Sequence, residues 1–323
     1  MKPHTGSPTG SPAAPPAGVS PAASAAPSPA GSAAPEPARY PAQPLDHLDA
    51  LWIQVAGTLC NLACTHCFVS CGPGDDRHAL MARDEVRSRV AEALPLGVKE
   101  FYFTGGEPFV HPELMEILGD TLVHGPCTVL TNGTLLPEAR ARALGVLAAR
   151  ARYSLEIRVS LDGPRAEEHD RFRGAGAFDR AIAGLLTLTR HRLLPIVTVT
   201  HNTDEDEQYF RERYRAMLRA AGLKRPRLKV LPMFRLGREA TRTRGYQAAE
   251  TLAGLSPEAF DPHRLQCASC RAVTSQGVFV CPLLVDEPGG RMGARLADAL
   301  GPFVLAHGAC STCYATGMTC ANG

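Results

Sequence analysis

The chain has 323 residues, enough for one large domain with an appendage or for two domains of moderate size. Its apolar fraction of 45% and its charged fraction of 20% are ordinary for a globular protein. The formal net charge of +2 gives no strongly basic surface for nucleic acid or anionic lipid, and no run reaches the ~20 apolar residues of a membrane helix. We therefore predict a cytoplasmic protein with no nucleic-acid partner and no membrane partner.

Residues 1–44 differ in composition from the rest of the chain, because they consist almost entirely of Pro, Ala, Ser and Gly. Such a segment has no apolar surface whose burial could offset the conformational entropy lost on folding. It also lacks the continuous apolar stretch of a secretory signal. The composition predicts a disordered tail over residues 1–44.

From about residue 50, short β-rich segments alternate with amphipathic helical segments. Strands are predicted at 51–57, 99–106, 127–133, 154–163, 195–202 and 228–234. Helices are predicted between them, at 82–95, 111–123, 137–149, 178–192 and 205–221. Six repeats of this kind predict an α/β protein with a parallel sheet and helices outside it.

Polar motifs follow four successive strands of this predicted sheet. A cysteine-rich segment follows the first strand, and TGGEP (104–108) follows the second. TNGT (131–134) follows the third strand, and SLDG (160–163) follows the fourth. Parallel barrels place their chemistry in loops at the carboxyl ends of the strands, so we expect these four segments to converge on one mouth.

Beyond residue 235 the alternation ends. The sequence becomes polar and irregular, and from residue 267 it is dense in cysteine and turn residues. We place a domain boundary near residue 240. Residues 241–323 are too few and too broken for a large core, so a bound metal is expected to stabilise them.

The chain has eleven cysteines, four of which lie in one short segment, Cys60, Cys64, Cys67 and Cys71. In a reducing compartment this clustering favours metal binding over the alternative of a disulfide framework. Three thiolates spaced C-x3-C-x2-C can bind three irons of a [4Fe–4S] cluster and leave the fourth iron open. Structural zinc sites instead prefer four closed ligands. A fourth thiolate from Cys71 remains an alternative that would close the site.

Two motifs together carry a resemblance to a known family. CNLACTHC (60–67) resembles the C-x3-C-x2-C signature of the radical S-adenosylmethionine (radical SAM) enzymes, and TGGEP resembles that family's Gly-Gly-Glu-Pro motif. The resemblance covers roughly residues 50–235. It implies a partial (β/α)6 TIM-like barrel over residues 45–240, with Cys60, Cys64 and Cys67 as cluster ligands.

The same resemblance implies the chemistry. The amino and carboxylate groups of S-adenosylmethionine would bind the open iron, and an electron from the reduced cluster would cleave the cofactor. The products would be methionine and a 5′-deoxyadenosyl radical that abstracts hydrogen from a substrate. A low-potential electron donor, such as a flavodoxin or ferredoxin, is implied as a partner.

Further residues are assigned to S-adenosylmethionine only through this resemblance. His66 would flank the adenine, Gly105 and Gly106 would admit the methionine moiety, and Glu107 would accept a hydrogen bond from its ammonium group. Three residues at later strand ends would line the same cavity: Asn132, Ser160 and Asp162. The alternative interpretations are a solvent-facing histidine, an ordinary Gly-Gly turn and polar strand caps.

The C-terminal cysteines resemble a SPASM or twitch extension, the auxiliary iron–sulfur domain of many such enzymes. SQGVFVCP (275–282) resembles its β-hairpin, with Gly277 in the turn before Cys281. The expected metal ligands are Cys267, Cys270, Cys281, Cys310, Cys313 and Cys320. Six thiolates favour one auxiliary [4Fe–4S] cluster with spare ligands over two clusters with an open iron.

Two further predictions concern the cysteines. A zinc site built from Cys267, Cys270, Cys310 and Cys313 is the alternative to an auxiliary cluster. Cys127, in the third predicted strand, is expected to be an ordinary buried thiol.

Three functional hypotheses follow. The first is a radical SAM oxidoreductase that acts on a peptide or protein side chain, although the low-complexity N-terminus offers no peptide-recognition domain. The second changes the substrate to a tetrapyrrole or small metabolite. The third is a non-catalytic zinc- or cluster-binding protein, for which TGGEP would have no use. No residue of the sequence is singled out as catalytic beyond the cofactor sites.

Overall fold

The computed structural model describes residues 40–201 and 203–317. Up to residue 242 the elements are, in chain order, β1 (Ala42–Gln43), β2 (Ala50–Ile53), α1 (Arg83–Ala93), β3 (Glu100–Phe103), α2 (Leu114–Thr121), β4 (Cys127–Thr131), α3 (Glu138–Arg150), β5 (Leu155–Ser160), α4 (Ala166–Arg173), α5 (Ala177–Arg190), β6 (Ile196–His201), α6 (Glu207–Ala220), β7 (Arg227–Pro232) and α7 (Gly237–Arg242). The remaining elements are β8 (Cys270–Thr274), β9 (Gly277–Phe279), β10 (Arg291–Gly293), β11 (Phe303–Val304) and α8 (Gly308–Thr316).

Strands β2 to β7 form a parallel sheet in sequence order, and at least one helix lies between each pair of successive strands. The predicted α/β class and the partial barrel of six βα units are therefore confirmed. Each predicted strand overlaps an observed one.

The strands alternate their side chains between two cores, as a pleated sheet requires. On β2, Leu51 and Ile53 join the core under the helices, whereas Trp52 joins a second cluster on the inner face. The helices turn apolar stripes toward the first core, for example Ile117 and Leu118 of α2. This arrangement leaves the inner face available for a binding cavity.

The sequence analysis missed α4. Its sequence AEEHDRFR has no apolar periodicity, and His169 is its buried side chain. The available signals were electrostatic: acidic Glu167 and Glu168 in the first turn, basic Arg173 in the last, and Gly174 directly after the helix. The omission matters because α4 contributes side chains to the cavity.

The C-terminal segment extends the same sheet. Strand β8 pairs in parallel with β2, on the edge opposite β3, and β9 and β10 continue antiparallel. The turn before β9 needs Gly277, whose φ is +124° and whose missing Cβ would overlap the Gly293 carbonyl oxygen. The boundary near residue 240 stays a prediction from composition, since the sheet crosses it through β8.

The predicted tail is too long at its C-terminal end. Ala42–Gln43 pair with Phe303–Val304 as an antiparallel ribbon, and the side chain of Gln43 is buried. Residues 1–39 of the predicted tail lie outside the described residues. Among the residues that are described, no helix has the length and apolar character needed to cross a membrane.

Candidate functional site

The inner face of the sheet encloses a cavity at the carboxyl ends of its parallel strands. Its empty volume is about 1500 Å³, part of which is open to solvent. The sequence-predicted residues that line it are Cys60, Cys64, His66, Cys67, Gly105, Gly106, Asn132, Ser160 and Asp162, together with Cys71. The expected convergence of the four strand-end segments is therefore confirmed.

The cysteine segment is a closed loop between β2 and α1. The amide of Gly72 donates to the Thr58 carbonyl at 3.2 Å, and the amide of Cys60 donates back to the Gly72 carbonyl at 3.1 Å. Inside the loop, the Leu62 amide points at the Cys60 sulfur at 3.4 Å. Backbone hydrogen bonds thus fix where the thiols stand.

Gly105 and Gly106 support this loop from below. The Gly106 amide donates to the Gly57 carbonyl at 2.9 Å, and the Glu107 amide donates to the Leu59 carbonyl at 3.0 Å. A Cβ on Gly106 would overlap the Leu59 carbonyl oxygen and stand 2.9 Å from the Cys60 Cβ. The two glycines are therefore required for the loop to pack, and they also line the cavity. Their predicted contact with the methionine moiety stays a prediction.

A segment after β7 holds the loop from the opposite side, which the sequence analysis did not foresee. The Arg238 amide donates to the Cys67 carbonyl at 3.0 Å, and its Nε donates to the Cys64 carbonyl at 2.7 Å. The same guanidinium donates to the Cys71 carbonyl. The preceding Gly237 has φ +50°, and a Cβ there would stand 2.7 Å from the Cys67 carbonyl oxygen. Arg238 therefore holds the cysteine loop in place by donating hydrogen bonds to carbonyl groups of the loop.

Glu107 ties the ends of β3 and β4 together. Its side chain is fully buried and accepts hydrogen bonds from the Phe109 amide (3.0 Å), the Thr131 hydroxyl (2.7 Å) and the Asn132 amide (2.7 Å). Burial raises the pKa of Glu107, and these three donors oppose that rise. Its predicted bond to a cofactor ammonium group stays a prediction.

Asn132 connects the cysteine loop with the segment after β4. Its Nδ2 donates to Asn61 Oδ1 at 2.8 Å and lies 3.9 Å from the Cys60 sulfur. Its Oδ1 accepts from the Thr134 amide at 2.9 Å. The amide is therefore oriented by neighbours on both sides, with its nitrogen toward the loop.

A buried charge network lies on the other side of the cavity. Asp162 Oδ2 is 2.9 Å from His66 Nε2 and also accepts from Arg173 of the missed helix α4. Burial alone would raise the pKa of Asp162, but Arg173 and His66 outweigh it and hold that pKa far below its usual range. His66 is therefore not a solvent-facing loop residue, and its ring lies 5.1 Å from that of Phe172. Its contact with an adenine stays a prediction.

The three cysteines fit a [4Fe–4S] cluster by their chemistry. Each thiolate of such a cluster binds a different iron, so its cysteines surround a space rather than converge on a point. In residues 40–201 and 203–317, no group of three His, Cys, Asp or Glu side chains is placed to hold a single metal ion. Burial raises the pKa of Cys64, and the nearby charge of Arg173 opposes that rise.

Cys71 lies beside the predicted triad. A hydrogen bond between its thiol and that of Cys67 lowers the pKa of Cys67 and raises the pKa of Cys71. Since Cys71 also lines the cavity, its placement leaves the alternative of a fourth thiolate open.

A second group of cysteines surrounds a separate cavity in the C-terminal segment. Its empty volume is about 400 Å³, and four cysteines line it: Cys267, Cys281, Cys310 and Cys313. Cys270 does not line this cavity, because it lies in β8 with its sulfur 4.0 Å from the Val280 carbonyl oxygen. Cys320 lies outside the described residues. Apart from Gln266, the other residues that line the four-cysteine cavity are apolar, as at Leu265 and Leu284.

Arg271 places a buried positive charge beside that cavity. Its side chain is fully buried, and its guanidinium donates to the carbonyls of Cys267, Cys270, Ala299 and Gly301. Among the described residues, no carboxylate lies within ion-pairing distance of it. A buried cation without a counter-charge is costly, so an anionic group in the four-cysteine cavity would compensate it. This observation fits an anionic iron–sulfur cluster.

The remaining cysteine behaves as predicted. Cys127 is 1% exposed and donates a weak hydrogen bond to the Gly125 carbonyl at 3.6 Å. Burial raises the pKa of its thiol, so it is an ordinary core residue.

Comparison with known proteins identifies the class. Residues 55–213 match the sequence model of the Radical SAM superfamily. This segment contains the cysteine loop, TGGEP, the buried charge network and strands β3 to β6. Residues 55–213 therefore form a radical SAM domain. The cofactors of that family are a [4Fe–4S] cluster and S-adenosylmethionine.

Curated relatives share about half of the chain or less. An AdoMet-dependent heme synthase from Methanosarcina barkeri is 37% identical over 147 residues, which cover 43% of this chain and 38% of that protein. The mycofactocin maturase MftC of Mycolicibacterium smegmatis is 31% identical over 173 residues, covering 51% and 42%. The subtilosin biosynthesis protein AlbA of Bacillus subtilis is 31% identical over 143 residues, covering 44% and 31%. The chain therefore spans less than half the length of each of these relatives.

Solved structures support the fold. SuiB from Streptococcus suis, bound to S-adenosylmethionine, aligns with a TM-score of 0.57 over 76% of this chain and 63% of that one, at 18% identity. The enzyme anSMEcpe with bound AdoMet aligns with a TM-score of 0.54 over 76% and 77%, at 17% identity. At this identity the likeness concerns the fold alone.

Replacing Gly106 with alanine should disrupt the cysteine loop. The added Cβ would overlap the Leu59 carbonyl, so we expect a loss of about 1–3 kcal/mol in the free energy of unfolding and reduced iron incorporation. Chemical denaturation and iron analysis measure both quantities. Gly119→Ala in helix α2 is the matched control, because its nearest neighbour atom would be 3.9 Å away. Equal stability of the two variants would contradict the packing role of Gly106.

Proposed function

We propose that this protein is a radical SAM oxidoreductase that removes hydrogen from a peptide or protein side chain. The observation that carries the proposal is that Cys60, Cys64 and Cys67 line one cavity together with Gly105 and Gly106 of TGGEP. When bound, the cluster supplies an electron that cleaves S-adenosylmethionine to methionine and a 5′-deoxyadenosyl radical. A flavodoxin or ferredoxin is the expected kind of electron donor.

The residues of the chain prepare this cavity in three ways. Arg238 fixes the carbonyl groups of the cysteine loop, and Asp162 is held in one position by His66 and Arg173. Apolar side chains wall off much of the cavity from water, as Phe234 and Leu283 do. Exclusion of water protects a reactive intermediate from side reactions.

The names of the relatives favour a peptide substrate. One relative is a mycofactocin maturase, and another is a biosynthesis protein of the bacteriocin subtilosin. A tetrapyrrole or small-metabolite substrate is the second candidate, because the relative with 37% identity is a heme synthase. A non-catalytic zinc- or cluster-binding protein is the third candidate, and it predicts that no 5′-deoxyadenosine is formed.

The C-terminal segment is proposed to bind one auxiliary [4Fe–4S] cluster. Cys267, Cys281, Cys310 and Cys313 supply the four thiolates that such a cluster needs. Of the six ligands expected from the sequence, this set leaves out Cys270, which does not line the cavity, and Cys320, which lies outside the described residues. The buried charge of Arg271 supports an anionic occupant.

Iron content tests the number of clusters. After anaerobic reconstitution we expect roughly eight irons per chain, and roughly four when Cys60, Cys64 and Cys67 are all replaced by alanine. Chemical iron and sulfide analysis measures both values, and zinc analysis tests the alternative site. Cys270→Ala should leave the iron content unchanged. Roughly twelve irons in the unaltered protein would require a second auxiliary cluster.

Cofactor cleavage tests the activity. With dithionite and S-adenosylmethionine, the reconstituted protein should form 5′-deoxyadenosine, and Cys64→Ala should abolish it because a cluster ligand is lost. Chromatography with mass detection measures the product. Cys71→Ala is the matched control and should retain cleavage if one iron is open. Formation of 5′-deoxyadenosine by the Cys64→Ala variant would contradict the assignment of Cys64 as a cluster ligand.

Arg271 should set the potential of the auxiliary cluster. Removing a positive charge disfavours addition of an electron, so we expect Arg271→Gln to lower the midpoint potential and Arg271→Lys to lower it less. A redox titration followed by electron paramagnetic resonance measures this in the variant that lacks Cys60, Cys64 and Cys67. Arg264→Gln, on the exposed surface near α8, is the control. An unchanged potential in Arg271→Gln would refute the assignment.

A further inference from the structure

Asn132, directly after β4, uses every hydrogen-bonding group of its side chain. Its Oδ1 accepts from the backbone amide of Thr134 at 2.9 Å and from the Thr134 hydroxyl at 2.6 Å. Its Nδ2 donates to Asn61 Oδ1 at 2.8 Å and also points at the Cys60 sulfur, at 3.9 Å. A carboxamide has two N–H donors and an oxygen with two lone pairs, so the side chain of Asn132 is fully satisfied.

These bonds fix which way the amide points. A backbone N–H can only donate, so the atom that meets the Thr134 amide must be the oxygen of Asn132, and the nitrogen faces the cysteine loop. Asn61 completes the set, because its Nδ2 donates to the Thr134 hydroxyl at 2.9 Å. Asn132, Asn61 and Thr134 thus form a closed ring of hydrogen bonds in which each donor meets an acceptor.

A buried carboxylate holds this ring against the cysteine loop. The side chain of Glu107 accepts from the backbone amide of Asn132 at 2.7 Å. The backbone amide of Glu107 donates to the carbonyl of Leu59, the residue before Cys60, at 3.0 Å. Glu107 is 0% exposed, Asn132 6% and Cys60 7%, so water competes little with these bonds. The protein itself therefore sets the separation between the Asn132 nitrogen and the Cys60 sulfur.

The Cys60 sulfur receives donors from two parts of the chain. The Leu62 amide lies 3.4 Å from it, and the side chain of Asn132 supplies a second N–H group from the end of another strand. A thiolate bound to iron accepts hydrogen bonds, and it accepts them better when reduction adds negative charge to the cluster. Hydrogen bonds to the ligand sulfurs therefore favour the reduced cluster and raise its reduction potential.

We propose that Asn132 is a positioning residue that raises the reduction potential of the cluster bound by Cys60, Cys64 and Cys67 (the first cluster), by donating its side-chain N–H to the Cys60 sulfur. This inference deepens the proposed function and rests on it in taking Cys60 as a cluster ligand. It differs from the role that the resemblance implies for Asn132. The residue lines the cavity, but its polar groups are already paired, so it acts on the site through Cys60.

A redox titration of the reconstituted full chain, without S-adenosylmethionine, tests this role. Electron paramagnetic resonance follows the reduced clusters, and the spectrum of the variant that lacks Cys60, Cys64 and Cys67 is subtracted to remove the auxiliary signal. At the midpoint potential of the unaltered protein, the reduced-to-oxidised ratio of the first cluster should fall severalfold in Asn132→Ala. Iron analysis checks that the variant still binds the cluster.

Two further variants separate the sulfur contact from general packing. Asn61→Ala removes an acceptor that orients the Asn132 amide, so it should produce a smaller fall in the same ratio. Gln276→Ala is the matched control, because the Gln276 amide also donates one hydrogen bond, to the Arg77 carbonyl at 2.6 Å, but does not line the cavity. The ratio should stay unchanged in this control.

A second measurement needs no substitution. With nitrogen-15 in the side-chain amides of asparagine, pulsed electron paramagnetic resonance of the reduced, unaltered protein should detect an isotropic nitrogen coupling to the first cluster. Such a coupling requires a hydrogen bond to a ligand sulfur, whereas packing beside the sulfur gives only a through-space coupling. This measurement decides the question if Asn132→Ala fails to fold or to bind iron.

Two results would overturn the inference. They are an unchanged ratio in Asn132→Ala with the iron content retained, and the absence of an isotropic nitrogen coupling in the unaltered protein. Neither measurement needs turnover, whereas the proposed function is read from 5′-deoxyadenosine formation. Cleavage of S-adenosylmethionine together with an unchanged ratio would remove only the role of Asn132. A nitrogen coupling without cleavage would remove only the proposed function.

Discussion

The site depends on the placement of one loop by backbone hydrogen bonds from two distant parts of the chain. Amides of Gly106 and Glu107 hold the cysteine loop from below, and Arg238 holds its carbonyl groups from above. Leu62 and Val69 of the loop also pack into the cluster on the inner face, and the backbone bonds fix the loop around the thiols. Both contacts need glycine, at Gly106 and Gly237, because a Cβ would occupy the space of a carbonyl group. A misplaced thiol would weaken cluster binding, because a cluster needs several cysteine ligands at the same time.

Arginine side chains lie beside both cysteine sites. Beside the cysteine loop, Arg173 is neutralised by Asp162, so the pair can orient groups without adding net charge. Beside the C-terminal cavity, Arg271 donates to carbonyl groups and meets no carboxylate among the described residues. A buried cation without a carboxylate partner favours an anionic group in the adjacent cavity. Arg238, beside the cysteine loop, likewise donates to carbonyl groups of the cysteine segment.

Much of the fold could be predicted because its signals are local. Alternating β-rich and amphipathic segments indicated six βα units, and the motifs at their ends indicated a shared mouth. The sequence analysis missed helix α4 because most of its residues are charged and show no apolar periodicity. The helix brings Arg173 to Asp162 and Phe172 to His66. The tail was predicted too long because the pairing of Ala42–Gln43 with Phe303–Val304 depends on residues about 260 positions away. Composition does not report such a distant partner.

The sequence by itself determined the chemistry: the spacing of Cys60, Cys64 and Cys67, and the Gly-Gly-Glu-Pro motif after the next strand, are properties of short segments. Tertiary structure decided which side chains share a space. It placed Cys267, Cys281, Cys310 and Cys313 around the second cavity, placed Arg238 and Arg271 beside the two cysteine sites, and brought Trp52 and Arg158 together on Tyr102. These contacts join residues that lie on different strands or far apart in the chain. Only the register of the strands and the path of the connections fix them, so no local pattern could reveal them.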